Sequence, residues 1–308
     1  MKRIRIAVVG LGKIARDQHL PAIADNPAFE LVATVSPHGD GVGGVPHFPA
    51  LEELLADGPA VDAVALCTPP QVRHDLAALA LERGVHVFLE KPPGATLAEV
   101  AALAGLAERS GATLFASWHS RFAPGVSAAR GWLADRQLQR GSIRWREDVR
   151  KWHPGQAWIW EAGGLGVFDP GINALSILTE ILPQPLFLCE ALLEIPANKA
   201  APIAAQLRFR DTAGAPVQMD LDWRQTGPQS WDIEIETDAG VLKLSDGGAR
   251  LAYPGGAASG ENREYAGLYA HFAALVERGE SDVDVRPLTL VADAFLRGTR
   301  RTVEAFED

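Results

Sequence analysis

Arg3-Ile4-Arg5-Ile6-Ala7-Val8-Val9-Gly10-Leu11-Gly12-Lys13-Ile14-Ala15 is the stretch that decides the fold of this chain. A short β-branched and apolar run opens straight into Gly-x-Gly-x-x-Ala, and Ile14-Ala15-Arg16-Asp17-Gln18-His19-Leu20 after it is compatible with a helix. Strand, glycine turn and helix in that order give the motif its meaning as a dinucleotide site. Gly10 permits the tight turn, Gly12 has no Cβ to hold the backbone off a pyrophosphate, and Ala15 lets helix and strand pack closely. The helix N-terminus adds unpaired N–H groups and the positive end of a dipole, both suited to phosphate.

Outward from this stretch, strand-like and helix-like segments alternate over the first ~120 residues, as in a parallel sheet with crossover helices. Strands are expected at Ile4–Val9, Glu30–Val35, Val61–Cys67, Val85–Leu89 and Thr113–Ser117. Helices are expected at Ile14–Asp25, Leu51–Ala56, Gln71–Arg83 and Leu97–Ser110, the last opened by the capping box of Thr96 and Glu99. Gly84 and Gly111 follow two of these helices, where a left-handed residue is expected.

From about Gly141 the texture changes to strands of a mostly antiparallel sheet: Ser142–Val149, Phe187–Ile195, Ile203–Arg210, Val217–Arg224, Trp231–Glu236, Val241–Ser245 and Ala249–Tyr253. A helix over Pro170–Ile181 interrupts them, and helices at Tyr265–Arg278 and Pro287–Phe306 come last. The expected class is α/β: an N-terminal doubly wound parallel sheet of the Rossmann type, then a C-terminal α+β domain on a mostly antiparallel sheet. The boundary is placed at residues 1–120 and 121–308, with the C-terminal helix free to pack back on the first domain. The active site is expected between the two.

Composition narrows the function classes. At 308 residues with 47% apolar and 22% charged residues the chain reads as an ordinary globular protein. A net charge of −10 argues against phosphate-backbone binding, which needs a clustered basic surface. Cys67 and Cys189 lie in apolar runs and read as buried small hydrophobes rather than a disulfide or metal pair. No apolar stretch reaches the roughly 18 residues needed to cross a bilayer, and no secretory segment precedes Arg3, so a cytoplasmic protein is expected. Neither nucleic acid nor membrane is expected as a partner, and no metal is.

A second marker is Val85-His86-Val87-Phe88-Leu89-Glu90-Lys91-Pro92-Pro93, which sets a lysine at the C-terminal end of a buried strand, the edge where ligands bind in such sheets. Two prolines hold the loop after it. An ammonium fixed there can hydrogen-bond a substrate hydroxyl and the cofactor ribose together. With Gly10-x-Gly12-x-x-Ala15, Glu90-Lys91-Pro92 and Asp169-Pro170-Gly171-Ile172-Asn173 in this order, the whole chain resembles the Gfo/Idh/MocA family of NAD(P)-dependent sugar oxidoreductases. Within it the chain is most similar to bacterial aldose 1-dehydrogenases acting on L-arabinose, D-galactose and D-fucose. The stretches that carry this are Gly12–Pro21, Glu90–Thr96, Glu147–Gly155 and Gly163–Asn173. Many relatives carry Asp-x-x-x-His with the histidine as base; this chain has Asn173 there, so that role does not transfer.

The resemblance implies hydride transfer from the anomeric carbon of a sugar, for which a base must take the hydroxyl proton while donors hold the ring. Asp169 and Asn173 are four residues apart at the start of a helix, which sets both on one face. The bland reading of Asp169 is an N-cap with Pro170 at the first helical position. The resemblance makes Asp169 the proton acceptor with Lys91 sharing the transfer and places Asn173 with them in the catalytic set; the rival is Lys91 as base with Asp169 tuning it. Glu147, Trp152, His153, Trp231 and His119 are implied to face the sugar, the aromatic rings stacking on its C–H face. Core packing is the plainer role for Trp152 and Trp231. Lys13, Ile14, Thr68, Pro69, His74 and Glu90 are implied to lie beside the cofactor.

An acidic residue ~20 or more positions past the glycines would bind the adenosine ribose and repel a 2′-phosphate. Ser36-Pro37-His38 occupies that place. Ser36 can donate to a phosphate and a protonated His38 adds charge, so NADP is expected, with NAD also accepted. Two other functions fit the fold: a silent NAD(P) and sugar sensor, and a family oxidoreductase acting on another sugar or a cyclitol. A homodimer through the C-terminal sheet is a possible assembly.

Overall fold

The computed structural model describes residues 3–37 and 41–307, which group into two compact units. The first comprises the residues up to Trp118 together with Tyr265–Val285; the second comprises His119–Glu264 together with the residues from Arg286 on.

In the first unit, β1 (Ile4–Val9), β2 (Phe29–Val35), β3 (His47–Phe48), β4 (Ala63–Leu66), β5 (His86–Leu89) and β6 (Leu114–Ala116) form a parallel sheet. Among the described residues its order is β3-β2-β1-β4-β5-β6. Ile6–Val9, Ala63–Leu66 and Val87–Leu89 are buried throughout, the continuous apolar run that a sheet covered on both faces requires. Val9 pairs with Val35 on one side and Leu66 on the other, so Gly10, Ser36 and Cys67 leave the sheet along one carboxyl edge. Strand order reverses between β1 and β4, which makes that edge the ligand-binding crevice of a doubly wound sheet.

The helix expected over residues 14–25 is not uniform. Residues Ala15–His19 form a π turn and the α-helix proper runs Leu20–Ala24. Pro21 has no N–H to return to Asp17 and its ring crowds that carbonyl, so the regular ladder gives way to the wider turn there. Leu97–Ser110 begins with the Thr96–Glu99 capping box and ends on Gly111 at φ +68°. Helix Glu264–Arg278 brings Tyr269 and Phe272 against Phe88 at ring distances of 5.1 and 5.5 Å, which is why residues 265–285 belong to the first unit.

In the second unit the strands are β7 (Leu138–Arg146), β8 (Leu186–Pro196), β9 (Ala204–Asp211), β10 (Pro216–Asp222), β11 (Ser230–Thr237), β12 (Gly240–Ser245), β13 (Arg250–Tyr253), β14 (Gly256–Ser259) and β15 (Thr299–Val303). Among the described residues their order is β14-β13-β12-β11-β7-β10-β9-β8-β15, antiparallel except where β7 meets β10 and β8 meets β15. Val217, Met219 and Leu221 of β10 are buried in alternation and face helix Phe168–Ile181. Gly171 permits that approach, since a Cβ on it would lie 2.6 Å from Leu221 Cδ1.

Three expectations are corrected. The last helix runs Arg286–Arg297 rather than to Phe306: Gly298 ends it, and Thr299, Thr302 and Val303 favour the extended strand β15. Helix Val126–Leu133 and the short strands β3 and β14 were not expected. Cys67 and Cys189 are free cysteines as expected, but each is half-buried as a whole residue, with burial still pushing the Cys67 thiol above its ordinary range. Among the described residues no helix is long and apolar enough to cross a membrane.

Candidate active site

The glycine turn has the geometry its residues imply. Gly10 sits at φ +89°, its N–H donates to Val35 O at 2.8 Å, and a Cβ there would lie 3.0 Å from both Thr68 N and Thr68 Cγ2. Around Gly12 the opposite holds: a Cβ would meet nothing within 4 Å, leaving the backbone open to an approaching group. At the end of β4, Thr68 Oγ1 is buried with no hydrogen-bond partner among the described residues. Bare backbone, a helical turn beginning beside it and an orphaned hydroxyl together fit the pyrophosphate and ribose of a dinucleotide.

Other expected cofactor residues lie along the same unit. Lys13 is exposed and ion-paired with Asp17, and Ile14 is an exposed apolar side chain just past the glycines. Ser36 follows β2, its N–H donating to Phe48 O at 3.0 Å, while His38 lies outside the described residues. Pro69 is exposed, and His74 Nδ1 is 2.9 Å from Asp75 Oδ1.

Sequence reasoning passed over Arg73, the neighbour of His74. It is only 2% exposed, and its guanidinium donates to the carbonyls of Thr68, Glu90 and Pro92, stitching the end of β4 to the Lys91 loop. A cation at the first position of a helix opposes the helix dipole, and that local conflict was the available clue. Lys91 is half-buried, its peptide to Pro92 is cis, and Pro92, Pro93 and Gly94 are buried behind it.

The second unit gathers the sugar-side candidates. Glu147 follows β7 and is 6% exposed; its Oε1 accepts the indole N–H of Trp223 at 3.2 Å and its Oε2 that of Trp231 at 2.8 Å. Trp223 is fully buried at the end of the β10 segment and was not singled out, although it continues the inward alternation of Met219 and Leu221. Its ring packs 5.3 Å from His153, whose Nε2 lies 3.5 Å from Asp169 Oδ2. Trp152 stands exposed, edge-on to Trp231 at 5.9 Å, with its N–H on Gln229 Oε1 at 2.7 Å. His119 Nδ1 lies 2.5 Å from Glu264 Oε2.

Asp169 is not the N-cap. The N-cap position of helix Phe168–Ile181 falls on Val167, whose side chain makes no capping hydrogen bond, so Asp169 lies in the first turn with Pro170 after it. The backbone N–H of Asp169 donates to Gly166 O at 2.8 Å, and its carboxylate is 3% exposed beside His153. Asn173, half-buried, is one turn further on, where its carbonyl accepts from Ser176 Oγ at 2.7 Å. Two buried carboxylates, Glu147 and Asp169, thus lie near one imidazole, that of His153.

Burial pushes the Glu147 carboxyl above its usual range, against the opposing N–H of Trp231, the charge of His153 and the N–H of Trp223; Asp169 pushes it further up. A raised folded pKa favours the folded state at low pH, and that contribution is lost as pH rises through the raised value. The melting temperature of Glu147→Gln minus that of wild type is therefore expected to increase with pH above the ordinary carboxylate range. Melting curves across that range check it; a pH-independent difference would show an unshifted group.

Comparison with known proteins agrees with this architecture. Residues 4–117 match the family model GFO_IDH_MocA, an oxidoreductase family with an NAD-binding Rossmann fold. Over 309 aligned residues the chain is 50% identical to galactose 1-dehydrogenase of Pseudomonas fluorescens, covering 100% of both chains. The crystal structure of D-galactose-1-dehydrogenase from Rhizobium etli has a TM-score of 0.95 at 57% identity and covers 100% of this chain and 99% of its own. A 3-ketoreductase from Actinomadura kijaniata, solved with NADP and TDP-benzene, shares the fold alone at TM-score 0.84 and 19% identity, over 98% of this chain and 100% of that one. On the strength of the dinucleotide turn, the Glu90-Lys91-Pro92 loop and a relative half identical along its whole length, the chain belongs to the Gfo/Idh/MocA family of oxidoreductases.

Proposed function

We propose that this chain oxidises C1 of D-galactose, L-arabinose or D-fucose to the aldonolactone, with NADP as the preferred acceptor and NAD also used. The three sugars share the configuration around the ring and differ in the substituent on C5, so a site that grips the ring hydroxyls accepts all three. The observation that carries the reading is the cluster of Glu147, His153 and Asp169 beside Trp223 and Trp231. Full-length likeness to two galactose 1-dehydrogenases supports it.

When bound at the glycine turn, the dinucleotide supplies a hydride acceptor at its nicotinamide C4. Asp169 takes the proton of the C1 hydroxyl as the C1–H bond gives up its electron pair and the C1=O bond forms. His153 holds the Asp169 carboxylate in place. Glu147 and Asn173 bind ring hydroxyls, the rings of Trp152 and Trp231 meet the C–H face of the sugar, and His119 lines the substrate side. Lys91 hydrogen-bonds the reacting hydroxyl and the ribose, and Ser36 with His38 meets the 2′ position of the adenosine.

A panel of aldoses with NADP and NAD, followed by nicotinamide absorbance, tests the reading. Turnover with the three named sugars, and little with sugars inverted at ring carbons, is expected; no turnover with any of the three would end it. Ser36→Asp is expected to move the NADP to NAD ratio of kcat/KM about tenfold or more towards NAD, since a carboxylate there repels a 2′-phosphate and bonds a 2′-hydroxyl. An unchanged ratio would place Ser36 away from the 2′ position.

A further inference from the structure

Beneath the Lys91 loop lies a buried polar network that hydride and proton transfer do not use. Glu90, the residue before Lys91, is 3% exposed and His19 is completely buried. Glu90 Oε2 accepts the backbone N–H of Lys91 at 2.6 Å. Its Oε1 accepts the hydroxyl of Tyr265 at 2.5 Å and lies 3.2 Å from His19 Nε2. On the other side of the imidazole, Nδ1 is 2.7 Å from the Tyr269 hydroxyl. Towards an ionised Glu90 carboxylate, which has no proton to give, His19 Nε2–H is the donor, and Nδ1 pairs with the Tyr269 hydroxyl, which can donate or accept.

Tyr265 and Tyr269 are one helical turn apart in Glu264–Arg278, so a single helix face closes the network. At its other end, His19 is the last residue of the π turn Ala15–His19, and that turn begins at the dinucleotide-binding glycines. π turns concentrate at functional sites. A continuous path therefore runs from the glycine turn through the π turn, the imidazole and the carboxylate to the N–H of Lys91. Apolar side chains of the same volume would fill this space without the cost of burying a charge, so what the polar arrangement supplies is direction.

We propose that His19, Tyr265 and Tyr269 are positioning residues that fix the Glu90 carboxylate and, through it, the Lys91 loop, in register with the helix starting at the dinucleotide turn. The side chain of Glu90 thereby works inward rather than on the cofactor. The inference rests on the role given to Lys91 under the proposed function.

The test compares wild type with His19→Leu, His19→Gln and the near-isosteric Tyr265→Phe, which preserves the packing should His19→Leu fail to fold. Two readouts are taken: kcat and KM with D-galactose, and the rate at which an amine-specific reagent labels Lys91 in the dinucleotide-free protein, with exposed Lys151 and Lys243 as internal controls. His19→Leu is expected to lower kcat about 10- to 100-fold with the sugar KM within about threefold, and Tyr265→Phe to lower kcat about 3- to 10-fold. His19→Gln, which keeps an N–H donor towards Glu90, is expected to recover kcat to within about threefold of wild type. Labelling of Lys91 is expected to change in His19→Leu and Tyr265→Phe while the controls do not. Wild-type kcat and wild-type Lys91 labelling in the folded variants would overturn the proposal, whatever their melting temperatures. If wild type oxidises no aldose, the proposed function fails, and the labelling arm, which needs no turnover, still decides the positioning role.

Discussion

Asp169→Asn is expected to lower kcat for aldose oxidation by about 10²- to 10⁴-fold, the range associated with loss of a positioned proton acceptor. The substitution keeps the volume of the side chain and an oxygen for the His153 contact, but an amide cannot take a proton at neutral pH. Asp169 lies in the first turn of helix Phe168–Ile181 and is not its N-cap residue, so losing its charge costs the helix start only a charge–dipole contact of about 0.3–1 kcal/mol. Dinucleotide affinity, carried by the first unit, is expected to stay within about threefold, since no phosphate-binding group is touched. Steady-state kinetics with a fluorescence titration of the reduced dinucleotide checks both halves. Parallel loss of dinucleotide binding or of folding would make the carboxylate a structural group.

Lys91→Met is expected to reduce kcat/KM by about 10²- to 10³-fold, on the scale of removing a preorganised donor from a reacting oxygen. The loop carrying Lys91 is held from behind by three buried residues and by the Arg73 bonds to Glu90 and Pro92, so methionine leaves its course unchanged. The two substitutions together separate the rival assignments of the base. With Asp169 as acceptor, Asp169→Asn is the more damaging. With Lys91 as the base, Lys91→Met costs more and Asp169→Asn keeps substantial activity.

Much of the first unit was legible because it is written in backbone chemistry. Gly10 needs a positive φ, Gly12 leaves open space, and the buried parts of β1, β4 and β5 (Ile6–Val9, Ala63–Leu66 and Val87–Leu89) need unbroken apolar runs; each is a local demand on residue type. The grouping of Glu147, His153 and Asp169 was legible only through the resemblance, because spacing along the chain does not bring a strand end, a loop histidine and a helix turn together. Contacts that close over long separations were silent: His19 meets Tyr269 across 250 residues and Glu147 meets Trp223 across 76. Local pattern also misled where two tendencies compete. The residues after Arg297 carry charges compatible with a helix, yet Gly298 and the β-branched residues beyond it give the parallel edge strand β15.

D-Galactose carrying deuterium at C1 tests the central claim most directly. Incubated with the enzyme and NADP, it is expected to yield reduced dinucleotide that carries the deuterium and a lactone that has lost it, with turnover slowed wherever hydride transfer limits the rate. Deuterium retained in the sugar product beside unlabelled reduced dinucleotide would contradict oxidation at the anomeric carbon.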